Sequence, residues 1–242
     1  MKSLYIITGT SKGIGEALLH LLAKNNDNTI VSISRSSLNF EQSNVKHFEI
    51  DLGNFDQLTQ CLDKVFLKDT FGKIVLINNA GWIGEINHFG KLAHQSIADI
   101  YKINAIAPAI LMNEYFKRYA HLSADKIIIN ISSGAAEKVI DGWSGYSSTK
   151  SSLNMLSKIA QEESNQNQNG IRVFAVSPGV VDTKMQENIR SAPRSGFSSL
   201  EKFEKLKSEN VLNSPKEAAE KIIYIISQFD RLDGVLQDVR DF

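Results

Sequence analysis

The chain has 242 residues, an ordinary length for one α/β domain, and at that size roughly three-quarters of the unfolded surface is buried on folding. Its 27 basic and 27 acidic residues cancel, which argues against nucleic acid or an anionic membrane as the main partner, and no apolar run approaches the ~20 residues that span a bilayer. One cysteine, Cys61, excludes an internal disulfide and a cysteine-based metal cluster, and the five histidines lack metal-ligand spacing, so no metal is expected.

Met1-Lys2-Ser3 leads into Leu4-Tyr5-Ile6-Ile7, too short a run for a signal-peptide core, so a cytoplasmic address is the expectation. The first predicted strand, 4–8, enters the turn Thr8-Gly9-Thr10-Ser11-Lys12-Gly13-Ile14-Gly15 and a helix over 15–25. A second strand, 29–34, ends in Ser34-Arg35-Ser36-Ser37, and a third, 45–50, is followed by Asp51-Leu52 and a helix over 55–68. Strand 74–78 closes on Asn78-Asn79-Ala80-Gly81-Trp82, ahead of a long helical pattern over 96–119 that contains Asn104 and Pro108. Strand 126–131 runs into Asn130-Ile131-Ser132-Ser133-Gly134; a helix over 145–163 then carries Tyr146-Ser147-Ser148-Thr149-Lys150, with Trp143 just before it. Strand 171–177 leads to Ser177-Pro178-Gly179-Val180-Val181-Asp182-Thr183. Residues 183–213 break the rhythm: they are polar, contain Pro193 and Gly196, and hold amphipathic pieces over 183–190 and 200–209. That segment is expected to be a substrate lid, with a disordered surface loop as the alternative. A helix over 215–228 and a strand over 235–237 complete the chain.

Most of the strands are near-continuous apolar runs, as parallel strands covered on both sides require. The alternation with amphipathic helices predicts a single α/β domain over 1–242, a Rossmann-type doubly wound parallel sheet of about seven strands with helices on both faces. Right-handed crossovers bring the strand C-terminal ends to one ligand-binding edge. The glycine turn sits at the first βα junction, where glycines allow a close backbone approach and the helix N-terminus favours a pyrophosphate. Beside the second strand's end an acid would bind a ribose 2′-hydroxyl; this chain instead offers Arg35 and serine hydroxyls, with Lys12 near by. Two cations and no carboxylate favour NADP(H) over NAD(H).

Tyr146 and Lys150 lie four residues apart on a helix, so they share a face, and a neighbouring ammonium stabilises a phenolate and eases proton exchange with an alcohol or ketone. By itself such a pair is more often structural than catalytic. The glycine spacing resembles the Thr-Gly-x-x-x-Gly-x-Gly fingerprint of the short-chain dehydrogenase/reductase family, and the resemblance extends in order through Asn-Asn-Ala-Gly at 78–81, the helical Asn104, Ser133, Tyr-x-x-x-Lys at 146–150 and the Pro-Gly segment. It implies Asn104, Ser133, Tyr146 and Lys150 as the catalytic set. NADPH delivers hydride to a carbonyl carbon, Ser133 binds the carbonyl oxygen and Tyr146 protonates it. Lys150 holds the nicotinamide ribose and keeps the Tyr146 pKa low, and Asn104 fixes a water leading from Lys150 to solvent. The implied cofactor contacts come from Gly9, Ser11, Lys12, Gly13, Ile14 and Gly15, from Arg35 and Ser36, and from Asp51 and Leu52 at the adenine. Asn79, Ala80 and Gly81, Tyr146 and Lys150, and Pro178, Gly179, Val181 and Thr183 supply the remainder.

The segments 6–11, 130–135 and 178–186, with Asp238-Val239-Arg240, are similar to the benzil reductase and sepiapterin reductase-like branch, which implies reduction of a ketone or vicinal diketone of the benzil type or of the side-chain dicarbonyl of a pterin. Trp82, Trp143 and Met185 are substrate-side candidates, with Phe197 and Phe203 as lid residues; packing within the domain is the alternative for each. Asp141 and Asp182 are candidate anchors for a pterin ring by proximity alone. Two rival enzymes are a 3-oxoacyl-carrier-protein reductase, for which Lys184, Arg190 and Arg194 would form the docking patch, and a general carbonyl reductase. A non-catalytic NADPH-sensing regulator is the rival from another class. The resemblance also implies a homodimer, or a tetramer, built on the helices 96–119 and 145–163; Pro108 either kinks the first of these or marks its true start.

Overall fold

The computed structural model describes residues 2–242. Seven strands, β1 (Ser3–Thr8), β2 (Asn28–Ser34), β3 (Val45–Glu49), β4 (Lys73–Asn78), β5 (Asp125–Ile131), β6 (Ile171–Ser177) and β7 (Leu236–Asp238), form one parallel sheet in the order β3-β2-β1-β4-β5-β6-β7. The order reverses between β1 and β4, the switch point where crevices open in doubly wound sheets. Apolar continuity in the strands has a simple cause here, since alternate residues feed two separate cores. Leu4 and Ile6 of β1 pack on one face, Tyr5 and Ile7 on the other.

On the first face lie α2 (Phe55–Val65), α4 (Ala107–Tyr119) and α5 (Ser144–Gln166), which bury Leu58, Leu111, Tyr115 and Ala160 against the sheet. On the second lie α1 (Gly13–Leu22) and α8 (Pro215–Ser227), which contribute Leu18, Leu19, Ile222 and Ile225. α8 starts at a capping box: Ser214 accepts from the Glu217 N–H while the Glu217 carboxylate accepts from the Ser214 N–H.

The long helical pattern is not one α-helix. It is α3 (His94–Tyr101), a π-helical turn (Lys102–Ile106) and then α4. Pro108 has no N–H to offer the Asn104 carbonyl four residues back, and the Ala107 N–H reaches instead to the Lys102 carbonyl five residues back. Of the two options for Pro108, it marks the start of a new α-helical segment.

The polar segment after β6 contains α6 (Lys184–Arg190) and α7 (Leu200–Ser208), close to the expected pieces. Its neck is closed by a parallel bridge between Val181 and Asn213, with Asp182 N–H donating to the Asn213 carbonyl at 2.9 Å. It is a packed flap rather than a loose loop: Phe197, Leu200 and Phe203 are buried against Trp143 and Tyr146.

At the opposite end of the sheet Tyr115, fully buried, donates its hydroxyl to the Ile74 carbonyl (2.7 Å) and accepts from the Ile127 N–H (3.0 Å), joining β4 to β5. Removing that oxygen strands a buried donor and acceptor. Tyr115→Phe is therefore expected to lower the unfolding free energy by about 1–3 kcal/mol, read as a shift of the urea midpoint with an unchanged slope.

Candidate active site

The glycine turn is built on backbone conformations that side chains resist. Gly9 and Gly13 have φ of +73° and +62°. A Cβ on Gly15 would lie 2.2 Å from the Gly9 carbonyl oxygen and 2.4 Å from Asn79 Nδ2, so only glycine fits. Thr8 Oγ1 accepts from the Asn79 and Ala80 N–H groups, both at 3.0 Å, and Asn79 Nδ2 donates back to the Thr8 and Gly9 carbonyls at 2.9 and 3.2 Å. The turn and the β4 loop are thus one unit. Lys12 caps α1 without a side-chain hydrogen bond, leaving its first N–H groups for an anion.

From this turn a cavity of about 610 Å³ runs along the strand ends to the flap. Its wall includes the expected Gly9, Ser11, Lys12, Gly13, Ile14, Arg35, Asp51 and Leu52, then Asn79, Ala80, Gly81, Pro178, Gly179, Val181 and Thr183. Three expected residues stand off the wall. Gly15 lies beneath the turn, and Ser36 is exposed, with only its carbonyl engaged, accepting from Ser34 Oγ and contacting His47 Nε2. Asn104 is buried behind Trp82. A bare-backbone cradle at one end, cations beside it and a protonic pair at the other fit an elongated dinucleotide.

At the far end Tyr146 and Lys150 project from the first turns of α5, and Ser133 lines the same stretch of the wall. Lys150 Nζ donates to the Ile131 carbonyl at 2.7 Å and stands 5.8 Å from the centroid of the Tyr146 ring. Burial pulls the Lys150 ammonium down to about 8. Burial also pushes the Tyr146 phenol up, with the nearby Ser133 hydroxyl opposing it, so desolvation sets the direction. The phenol is protonated at neutral pH, the form a proton donor needs. Asn104 spends both side-chain donors, on the Trp82 carbonyl (2.8 Å) and Thr149 Oγ1 (3.2 Å), while its oxygen accepts from the Trp82 N–H (2.9 Å). The side chain is a clamp between the β4 loop and α5.

Beyond the phenol the wall becomes apolar. Trp143 is buried edge-on to Tyr146 (centroids 5.5 Å apart) and stacked on Phe197 (5.5 Å, planes 15° apart), with Phe203 at 5.3 Å. Trp82 and Met185 line the cavity with Ile83, Ile140, Phe203 and Leu206. Sequence reasoning missed Ile83, Ile140 and Leu206, since an apolar residue on a pocket wall reads like any core residue. Asp141 is not a free anchor. It accepts from the Ser198 N–H (2.8 Å) and Oγ (2.6 Å) and contacts His88 Nε2 (3.2 Å), bonds that hold its carboxyl at about 2. Asp182 pairs with Lys207 at 2.6 Å. Each cation of the supposed docking patch also faces an acid: Lys184 faces Glu187, Arg190 faces Asp182, and Arg194 faces Glu201 and Glu204.

Residues 3–194 match the family model described as short chain dehydrogenase. A benzil reductase ((S)-benzoin forming) of Bacillus subtilis is 32% identical over 99% of this chain and 99% of its own. The sepiapterin reductase of Xenopus laevis is 25% identical over 76% of this chain and 75% of its own. The crystal structure of a short chain dehydrogenase/reductase from Saccharomyces cerevisiae superposes with a TM-score of 0.85 over 100% of this chain and 97% of its own, at 22% identity.

The buried Lys150 links the site to stability. Its pKa is about 8 when folded against an ordinary value of 10.5, so between those values the unfolded chain holds more protons. The penalty, on the order of 3 kcal/mol, is complete below pH 8 and fades as pH rises toward 10. Lys150→Met removes this pH-dependent term. Its melting temperature minus that of the wild type should therefore be most positive near neutral pH and fall steadily up to about pH 10. Melts followed by circular dichroism check the slope; a pH-independent difference contradicts the burial argument.

Proposed function

The chain belongs to the short-chain dehydrogenase family, and from that premise we propose that it reduces a ketone or vicinal diketone of the benzil type to an alcohol, with NADPH as reductant and Tyr146 as proton donor. The observation that carries this reading is the convergence of Ser133 and Tyr146 on one aromatic-walled cavity, with the Lys150 ammonium 5.8 Å from the Tyr146 ring. The dinucleotide, when bound, supplies the hydride. The glycine turn at 9–15 holds its pyrophosphate, Arg35 and Lys12 a 2′-phosphate, and Asp51 and Leu52 the adenine. Asn79, Ala80 and Gly81, with Pro178, Gly179, Val181 and Thr183, flank the nicotinamide half, and Lys150 holds its ribose.

Ser133 Oγ and Tyr146 Oη both donate to the carbonyl oxygen as negative charge builds there. The Tyr146 Oη proton then transfers to that oxygen, and the Lys150 ammonium stabilises the phenolate left behind. Asn104 keeps the β4 loop against α5 while this occurs. The flap excludes water through the Trp143, Phe197 and Phe203 stack.

NADPH over NADH rests on the exposed Arg35 and Lys12 together with the lack of a carboxylate over 34–37. The benzil-type substrate rests on the apolar wall and on the Bacillus relative's activity. A carrier-protein substrate is less well supported, because the cations at the mouth are already paired. Half-exposed Ile97, Tyr101, Ile106, Met155 and Ile159 on α3, the π turn and α5 make a homodimer the proposed assembly. Among the described residues, no helix is long and apolar enough to cross a membrane.

The test follows NADPH absorbance against benzil, a small aliphatic diketone, sepiapterin and an acetoacetyl thioester. Benzil is expected to be reduced, with a loss of roughly 10²–10⁴-fold in kcat for Tyr146→Phe. Preference for the thioester would overturn the substrate, and NADPH binding without turnover on any carbonyl would favour a sensor. Arg35→Ala should raise the KM for NADPH roughly ten- to a hundredfold and leave that for NADH unchanged; equal effects on both would overturn the cofactor assignment.

A further inference from the structure

The strand that carries Ser133 and the helix that carries Tyr146 meet through polar links rather than through apolar packing alone. At the end of β5, residues 130 to 132 each make one link to α5, and Ser133 follows them onto the cavity wall that Tyr146 shares. The Ile131 carbonyl accepts from Lys150 Nζ at 2.7 Å, and Asn130 Nδ2 donates to Ser157 Oγ at 2.8 Å. The remaining link joins Ser132 to Asn154: the buried Ser132 hydroxyl donates to Asn154 Oδ1 at 2.5 Å. Tyr146, Lys150 and Asn154 are spaced by four residues, so they form one stripe along the helix. Ser132 is tied on its other side by its N–H, which donates to the Val176 carbonyl of β6 at 2.8 Å.

Apolar contacts tolerate small slides of a helix along a sheet, whereas a short hydrogen bond between buried groups defines one register. Asn154 touches neither the phenol nor the Ser133 hydroxyl. What it holds is the residue next to Ser133, two helical turns from Tyr146 on the same rigid helix. We propose that Asn154 is a positioning residue for carbonyl reduction: by gripping Ser132 it sets where the Ser133 hydroxyl stands relative to Tyr146. The proposal rests on the catalytic reading above for its effect on rate and on geometry alone for its effect on the phenol. Asn is a mediocre helix former, and at this half-buried position the Ser132 bond is what it contributes.

The experiment pairs Asn154→Leu, which keeps the shape and removes the acceptor, with Ser132→Ala, which removes the same bond from the strand side. Each is expected to lower kcat for benzil roughly ten- to a hundredfold, with both KM values within about a factor of two of wild type. Placed in a Ser133→Ala background, Asn154→Leu should do nothing further, because the residue it acts through is gone. In the cofactor-free protein the Tyr146 titration is read as tyrosinate absorbance, taken as the difference from Tyr146→Phe. Both variants should shift it upward, as Ser133→Ala should, because the nearby Ser133 hydroxyl opposes the effect of burial there. Folded variants with wild-type kcat and wild-type titration overturn the proposal. So does an Asn154→Leu loss of equal size with and without Ser133. The titration needs no turnover, so a wild-type protein inactive on every carbonyl would sink the catalytic reading and still decide this one.

Discussion

Where the strand order reverses, four hydrogen bonds tie Thr8 and Gly9 at the end of β1 to Asn79 and Ala80 at the end of β4. Thr8 Oγ1 takes two N–H groups and Asn79 Nδ2 gives to two carbonyls. Such a knot is possible only because Gly15 lets α1 come within contact of the Gly9 carbonyl and the Asn79 amide. The crevice, the glycine cradle and the β4 loop inherit their positions from it. Gly81, two residues beyond Asn79, lies beside both Lys150 and Asn104, so the same knot reaches the Tyr146 and Lys150 end of the cavity.

That end is assembled against solvation. A lysine and a tyrosine are desolvated together at the first turns of α5, and burial moves each toward its neutral form, the lysine down and the phenol up. The arrangement weakens the fold at neutral pH while leaving a protonated phenol beside a nearby cation. Directional links hold it: the Ile131 carbonyl for Lys150, and the Asn104 clamp behind both. Stability comes instead from the two apolar cores on either face of the sheet, remote from the crevice.

The flap shows the same division between anchoring and adaptable parts. Its neck is fixed by backbone bonds between Val180, Asp182 and Asn213, and its tip by Asp141 with Ser198. Between these points the contacts with the body are aromatic stacks, which have no single register. The flap side of the cavity is therefore a surface that can repack, whereas the hydrogen-bonded groups around Lys150 and Asn104 are fixed.

The strands were legible because a parallel strand buried on both faces must be apolar almost throughout, and the glycine turn because no other residue satisfies its φ values and contacts. The spacing of Tyr146 and Lys150 already placed them on one helical face, and the strand order put Ser133 at the ligand edge. Other features depended on groups far apart in sequence. The π turn at Asn104 arises where Pro108 withholds an N–H, and its clamp on Trp82 spans 22 residues. Asp141, a candidate anchor from proximity, is claimed by Ser198 across 57 residues. That Phe197 and Phe203 close over Trp143, more than fifty residues away in sequence, came only from the fold. The direction of the Tyr146 shift likewise follows from total burial, which no local spacing encodes. Periodicity and steric permission are local, so the sequence alone determined the sheet, the turn and the polar groups lining its edge. Desolvation and long-range partnership are sums over the whole fold, and only the tertiary structure decided which of those groups are free to act.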